Sequence, residues 1–460
     1  MTMFRLAVRS LLTHPGRSAV LAGGFGLGVS VMANLLGIGE VMLEQARSPA
    51  LAGGGDLVIA GDFGKVTSAR YVLSGVVAVP PLEGRARVVS PSLRSLVYLV
   101  SDDDDPVAVE VRGGIPSLER ALEDEETAGV AAWVDTAADG EWASPDHTDV
   151  VRAMDRFHAI PDVPEWADGW AEWLYFNGQA GQTRFYLTLL VGPMRGEGRR
   201  AAGVRLQVDD GHRVRSYSES AEVDAAEVLA GAPDLTIGRN QVRLVDGRYL
   251  ISLDLPPMRG EIVLEVGRGR SLPPLTIRGA RGWTSGYTVP VMSGALSGRI
   301  TVGGTALSLD GGSGYHDHNW GHWTGVSWQW GQVHGQDLSF VYGRVYPPAD
   351  AADPRRVPGF LMVIGADGPI GYATRLSIEE DDDPETGEPR RVVVESRGYS
   401  VALRLEIDVE EAAMTRMDWV GFGTELDFYQ LRARFHVVGR VGDRTIDFTA
   451  PGSAETFRGR

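Results

Sequence analysis

From about Glu165 to its end the chain repeats one pattern: a short run of alternating apolar and polar residues, then a tight turn. A period of two sends successive side chains to opposite faces of a pleated strand. Such runs can bury one face only against a second sheet or inside a closed barrel. Some of the turns are explicit. Asp246-Gly247 divides residues 241–255 into two alternating runs, and Gly303-Gly304 joins 299–302 to 306–309. Asp and Gly tolerate the positive φ of two-residue hairpin turns. Further runs fall at 172–176, 183–191, 261–266, 327–334, 338–346, 360–364 and 370–378, with Asp367-Gly368 separating the last two. The remainder are 391–396, 399–409, 427–438 and 445–449, and the acidic stretch 379–388 reads as a solvated hairpin loop. Many antiparallel strands with few helices imply a mainly β sandwich or barrel. The region is too long for one small barrel, so we expect two β-domains, 156–295 and 296–460, with the histidine-rich segment in the second.

Ahead of the β region, residues 19–39 carry no charge. A helix needs roughly 20 apolar residues to cross a bilayer, and this run has that length. Arg5, Arg9 and Arg17 precede it and Glu40 and Glu44 follow. The positive-inside rule then places the N-terminus in the cytoplasm and the remainder outside. Gly24 and Gly28 would permit close helix contact, but a plain single anchor is the simpler reading. A cleaved signal peptide would have a shorter apolar core and a small-residue cleavage site, which is not evident. We therefore expect 1–45 to be a cytoplasmic stub and transmembrane helix in a bacterial cytoplasmic membrane. Residues 46–155 are then a linker or small accessory region, with β runs at 56–60, 71–79 and 93–100 and a solvated turn at 102–105.

The net charge of −17 argues against a nucleic-acid partner, which needs clustered Lys and Arg. Without Cys there is no disulfide, thiolate metal site or cysteine nucleophile.

Residues 311–334 concentrate four of the nine His (His316, His318, His322, His334) and four of the eleven Trp (Trp320, Trp323, Trp328, Trp330). By strand alternation Trp328, Trp330, Gln332 and His334 share a face, and in the next run Leu338, Phe340, Tyr342, Arg344 and Tyr346 share another. If both faces line one cavity, it is an aromatic pocket with polar groups at intervals; the same aromatics also suit a plain core. Gln332, His334 and Arg344 weigh toward a pocket, because buried polar groups are costly without a partner. Residues 315–321 are bracketed by glycines and read as a shaped loop, either a hydrogen-bonded knot or a ligand-facing site. That loop offers His316, Asp317, His318, Asn319 and Trp320. Metal binding by His316 and His318 with His322 or His334 is one chemistry, but the Glu that a cupin motif requires does not follow. Nucleophilic hydrolysis lacks a Gly-x-Ser-x-Gly elbow. In the third, Asp317 or a protonated His donates a proton to an alkene and aromatic walls stabilise the cation. No metal and no cofactor is assigned.

Gly314-Tyr-His-Asp-His-Asn-Trp-Gly321, followed by Trp328-Gln-Trp-Gly, resembles the signature of the carotenoid 1,2-hydratase (hydroxyneurosporene synthase) and AttH-like family. Glu172-Trp-Leu-Tyr-Phe-Asn, Phe185-Tyr-Leu-Thr-Leu and Gly452-Ser-Ala-Glu-Thr-Phe extend the likeness over about 157–460. The resemblance implies a pair of lipocalin-like barrels and, for the hydratases, addition of water to a terminal carotene double bond without a redox cofactor. It points to His318 and Trp320 for chemistry, joined by a Tyr and an Asp about two dozen residues later. Tyr342 and Tyr346 are candidates for the Tyr. The positions two residues beyond them are Arg344 and Pro348, and the nearest carboxylates are Asp337 and Asp350. Residues 1–59 resemble the first helix of FtsX/MacB-type ABC permeases, through Leu6-Ala-Val-Arg-Ser-Leu-Leu, Leu35-Leu-Gly-Ile-Gly-Glu and Gly54-Gly-Asp-Leu-Val-Ile. Together these imply a membrane-anchored lipocalin-like protein that binds a long apolar molecule (a lipid, carotenoid or other terpenoid) and serves ABC-transporter subunits. The alternative is a hydratase-type lyase using His318 with Asp317 or Tyr342. Either way His316, Asn319, Trp328, Trp330, His334, Phe340, Arg344 and Tyr346 are expected at the ligand.

Overall fold

A computed structural model describes residues 87–99, 107–123, 130–137 and 146–459 apart from 268–270, 367, 399–400 and 418–425, besides the single positions 13, 16 and 139. The expected membrane helix, the permease-like segment, the runs at 56–60 and 71–79 and the turn at 102–105 lie outside these residues. Among the described residues no helix is long and apolar enough to cross a membrane.

A small N-terminal unit comprises the antiparallel strands Ser92–Leu99 and Val107–Gly114, followed by the helix Pro116–Ala121. The large unit comprises Asp62–Arg87 and Ser144–Arg460, and its described residues are almost entirely antiparallel β. It forms two nearly closed barrels, as the period-two pattern predicts.

The first barrel is two meanders joined by one long strand and its return. Trp170–Ala180, Thr183–Gly196, Arg199–Asp209 and Val214–Asp224 pair in order. Leu235–Ile237, Asn240–Val245, Arg248–Leu255 and Met258–Glu265 form the second meander. Thr284–Val302 then pairs with Met258–Glu265 on one side and with Gly312–His322 on the other. Gly312–His322 returns to Trp170–Ala180, so the first and last strands close the circuit. The second barrel repeats the device: Ser327–Gly335, its first strand, pairs with Arg444–Gly459, its last. Asp246 and Gly247 both adopt positive φ in the expected hairpin turn.

Strand alternation fills both interiors. In Arg248–Leu255 every second residue is buried, and Tyr249, Ile251, Leu253 and Leu255 join the first core. Val333, Phe340, Tyr342, Leu405 and Phe435 belong to the second. A third cluster lies in the seam between the barrels. It brings together Trp173, Tyr175, Tyr186 and Tyr315 of the first with Trp330, Val341, Phe428 and Phe457 of the second. Arg432 pairs with Asp209 across this seam at 2.7 Å.

Four expectations change. Residues 315–321 are not a loop: they lie within the strand Gly312–His322, at the centre of the first sheet. That strand belongs to the first barrel, so a boundary at 295/296 would cut it away from its pairing partners. The helix His147–Met154 and Asp155 also pack into the first barrel, through Val150, Val151 and Met154, which moves the accessory boundary to about Ala143. Finally, Glu379–Asp382 continues a strand and only 383–388 turns: Glu379 and Asp381 point outward, while Glu380 is turned toward Gln329, Thr456 and Arg458.

Candidate functional site

The Gly312–His322 strand carries polar residues on both faces. His316, His318 and Trp320 face the interior of the first barrel, while Tyr315, Asp317 and Asn319 face the seam.

On the interior face His318 bridges two carboxylates. Its Nδ1 lies 2.9 Å from Asp155 Oδ1 and its Nε2 3.0 Å from Glu172 Oε1, and all three side chains are fully buried. Asp155 Oδ2 accepts from Tyr249 Oη at 2.6 Å and lies 3.0 Å from His316 Nε2, whose Nδ1 donates to the Tyr175 carbonyl at 2.9 Å. Glu172 also holds His158, at the backbone N–H and at Nδ1. Burial alone would lower the His318 pKa, but bonds and charge from Asp155 and Glu172 outweigh it and raise it to about 9. Burial would likewise raise the two acids, yet the histidines hold Asp155 well below the usual carboxylate range and lower Glu172 too. Phe176 stacks on the His316 ring at 4.0 Å, and His158 stacks on Trp320 at 4.3 Å. A Cβ at Gly286 would overlap the Trp320 indole, so that ring lies across the neighbouring strand only because Gly is there. The imidazole nitrogens of His316 and His318 are thus all occupied by protein groups.

The seam face has the opposite chemistry. Trp330 Nε1 donates to Tyr287 Oη at 3.0 Å, and the Tyr287 and Tyr315 hydroxyls meet at 2.6 Å. Tyr315 then donates to Asp317 Oδ2 at 2.9 Å, and Asn319 Nδ2 donates to Oδ1 at 2.8 Å. Asp317 has donors but no cation on this face. Burial, then the charge of Glu455, pushes its pKa well above the usual range. Glu455 enters from the second barrel, opposite Trp330 and Gln430 in register. Burial raises its pKa to about 7, partly offset by Tyr175, Trp328, Gln430 and Arg205, and its Oε1 makes no hydrogen bond among the described residues. Two carboxyls biased toward their neutral forms therefore sit among tyrosines and tryptophans.

The seam ends in a cleft of about 40 Å³ lined by Asn177, Arg184, Tyr186, Gln332, His334 and Ser453, with exposed Ser313 and Pro451 at its rim. A chain of polar contacts leads inward from it: Gln332 donates to Asn177 at 3.1 Å, Asn177 to Tyr175 at 3.5 Å, and Tyr175 to Gln430 at 3.4 Å.

The expected residues divide accordingly. Asp317, Asn319, Trp328 and Trp330 are in the seam, and His334, bonded to Ser339 at 2.8 Å, lines the cleft. His316, His318 and Trp320 are in the first barrel, so His318 does not act beside Asp317: adjacent positions on one strand point to opposite faces. Phe340 and Tyr342 pack in the core of the second barrel, and burial holds the Tyr342 hydroxyl well above its usual pKa. Trp330 pairs with Gly343 and Gln332 with Val341, which places Phe340 and Tyr342 on the far side of the sheet from the tryptophans. The single cavity lined by both runs is therefore not formed. Arg344 lies over the Tyr346 ring at 5.0 Å and donates to the Leu376 and Pro354 carbonyls, while Tyr346 bonds Gln329. Among the described residues no cluster of three or more His, Asp or Glu is disposed to hold a metal ion.

Sequence reasoning passed over Asp155, Glu172, His158, Tyr175, Tyr287 and Glu455 as site residues. Glu172 had a signal: it shares its strand face with Leu174 and Phe176, a carboxylate at an inward position.

No family model matches the chain, and no curated protein matches it. Among solved structures, an AttH protein from Nitrosomonas europaea is similar, with 14% identity over 65% of this chain and 97% of its own and a TM-score of 0.45. Kievitone hydratase from Nectria haematococca is 12% identical over 66% of this chain and 96% of its own, with a TM-score of 0.44. CghA with Sch210972 is 11% identical over 66% and 94%, with a TM-score of 0.45.

Proposed function

We propose that the chain is an acid–base lyase or isomerase acting on an unsaturated apolar molecule held in the seam between the barrels, with Asp317 as the proton donor. The observation that supports this most is the buried Asp317 carboxyl, fed by the Trp330–Tyr287–Tyr315 hydrogen-bond chain and raised by burial and Glu455. A carboxylic acid biased toward its neutral form can protonate a double bond, and flanking indole faces favour the resulting cation. Glu455, at about 7, is suited to take a proton from water or from the neighbouring carbon. The barrel interiors are filled by side chains, so the substrate must part the seam. Hydration is the form of this chemistry that the octapeptide's resemblance favours. His318 and Trp320 then support the strand from behind without touching substrate.

The test is mass spectrometry of the organic extract after incubating the full chain with host membrane lipids in heavy-oxygen water. A product carrying one labelled water, made by wild type and reduced about 10²-fold or more in Asp317→Asn, is the expected result. Substrate recovered unchanged but bound equally by both proteins would overturn catalysis and leave a carrier. That second reading, a tethered accessory of an ABC-type exporter, is favoured by the uncharged residues 19–39 and the permease-like flanks. In both readings we place the barrels on the extracytoplasmic side of the cytoplasmic membrane.

A further inference from the structure

The cleft at the end of the seam holds a cation that no acid neutralises. Arg184 is only 9% exposed, and among the described residues its guanidinium makes no ion pair. The carboxylate beside it in register is Asp209, but that group is occupied: Oδ1 accepts from the Gly211 N–H at 2.8 Å and Oδ2 from Arg432 at 2.7 Å. Arg184 interacts instead with the neutral Tyr186 hydroxyl, which reaches Ser453 Oγ at 3.4 Å across the seam. Gln332 Oε1, also in the lining, is buried without a partner among the described residues. Burying a guanidinium without a counter-charge is costly, so such a group calls for an anionic partner from outside the chain.

We propose that Arg184 receives the carboxylate of an amphiphilic substrate, an unsaturated fatty or terpenoid acid, whose chain runs along the seam to Asp317. This rests on the seam being the substrate site. A carboxylate fits better than a phosphate: one guanidinium supplies a single planar fork and a single charge, matched to one carboxylate. The Tyr186 and Ser453 hydroxyls can donate to the same oxygens. Ser313 at the cleft and Asp317 lie four residues apart on one strand face, about 14 Å at strand rise. The reacting double bond is therefore remote from the carboxyl, well down a long chain.

Titration of the full chain with parinaric acid, a tetraene fatty acid whose fluorescence rises in apolar surroundings, and with its methyl ester tests this. Work at alkaline pH keeps the free acid ionised. Wild type should bind the acid about tenfold more tightly than the ester, Arg184→Gln should bind the two alike, and Arg184→Lys should keep part of the preference. Equal binding of acid and ester by wild type would overturn the carboxylate site while leaving the seam as an apolar site. No binding of either probe would sink the seam reading and this inference together. If Arg184→Gln fails to fold, the acid-over-ester ratio in wild type and Arg184→Lys still decides.

Discussion

One strand, Gly312–His322, separates two polar environments that share a backbone and differ in almost everything else. On its interior face Asp155 and Glu172 surround His318, and the carboxylates are held in their charged form. On its seam face Asp317 has hydroxyl and amide donors but no cation, Arg205 only partly offsets the burial of Glu455, and both acids are pushed toward neutrality. The first arrangement leaves His316 and His318 no free nitrogen and ties Asp155, at the end of the helix His147–Met154, to the sheet, which serves the fold. The second keeps two carboxyls biased toward neutrality beside aromatic faces and a cleft, the setting that the proposed chemistry would use. The contrast teaches that a cluster of histidines need not be a reactive centre: what decides is whether neighbours saturate a group or leave its proton mobile.

The largest effects should come from breaking the interior network. Asp155→Asn removes the carboxylate that faces Tyr249, His316 and His318 at once and leaves the buried His318 charge with Glu172 as its one remaining carboxylate partner among the described residues. We expect a loss of about 3–5 kcal/mol in urea unfolding, against about 1 kcal/mol or less for Asp317→Asn. If Asp317→Asn proved the more destabilising, the division of labour between the faces would be wrong.

The pH dependence sharpens the same contrast. Glu455 titrates near 7 in the folded chain and near 4.5 when unfolded, so between those values the native state holds more protons. Stability therefore falls as pH rises through that window, by at most on the order of 3 kcal/mol from this group, and Glu455→Gln should reduce the fall to the part that the raised Asp317 contributes. His318 has a raised pKa as well, so its contribution is complete below 6.5 and is lost as pH rises through about 9. The depressed Asp155 and Glu172 act the other way: their contribution is present above their ordinary values and disappears only on acidification. Unfolding curves at closely spaced pH values, in wild type and Glu455→Gln, separate these windows. An unchanged slope between about 4.5 and 7 in the variant would mean that Glu455 is not the group that titrates there.

Much of the architecture was legible because strands advertise themselves locally. The alternation at 241–255 and its Asp-Gly turn need no distant information, and both appear where expected. The motif strand was misread for a local reason too, since flanking glycines and a dense polar run look like a loop. In fact Gly286 and Gly314 serve close packing: a Cβ at either would collide with Trp320 or with Leu264. Period two would have sorted His316, His318 and Trp320 from Tyr315, Asp317 and Asn319 had the segment been taken as a strand. The partners themselves were not legible. Asp155 and Glu172 reach His318 from 163 and 146 residues away, and Glu455 comes from the other barrel, so only the closed sheets bring them together. The supposed shared cavity failed for a further reason: register, which no single strand reveals, sets Phe340 and Tyr342 against the opposite face from Trp330.

The smallest expected effect is the most specific. Tyr315→Phe keeps the ring that packs near Tyr175 and Trp330 but deletes the hydroxyl between Tyr287 and Asp317. One neutral hydrogen bond of this kind contributes about 1 kcal/mol, so the melting curve should move little. The Tyr315 bond lowers the Asp317 pKa against burial, and its loss should raise that pKa further. If Asp317 is the proton donor, the alkaline limb of the rate profile then shifts upward in pH while the maximal rate drops, because the acid is weaker and less well oriented. Tyr342→Phe, on the far side of the second sheet, should leave both limbs in place. A profile that moves with Tyr342→Phe and not with Tyr315→Phe would reverse the assignment of the two faces of that sheet and return the chemistry to the barrel core.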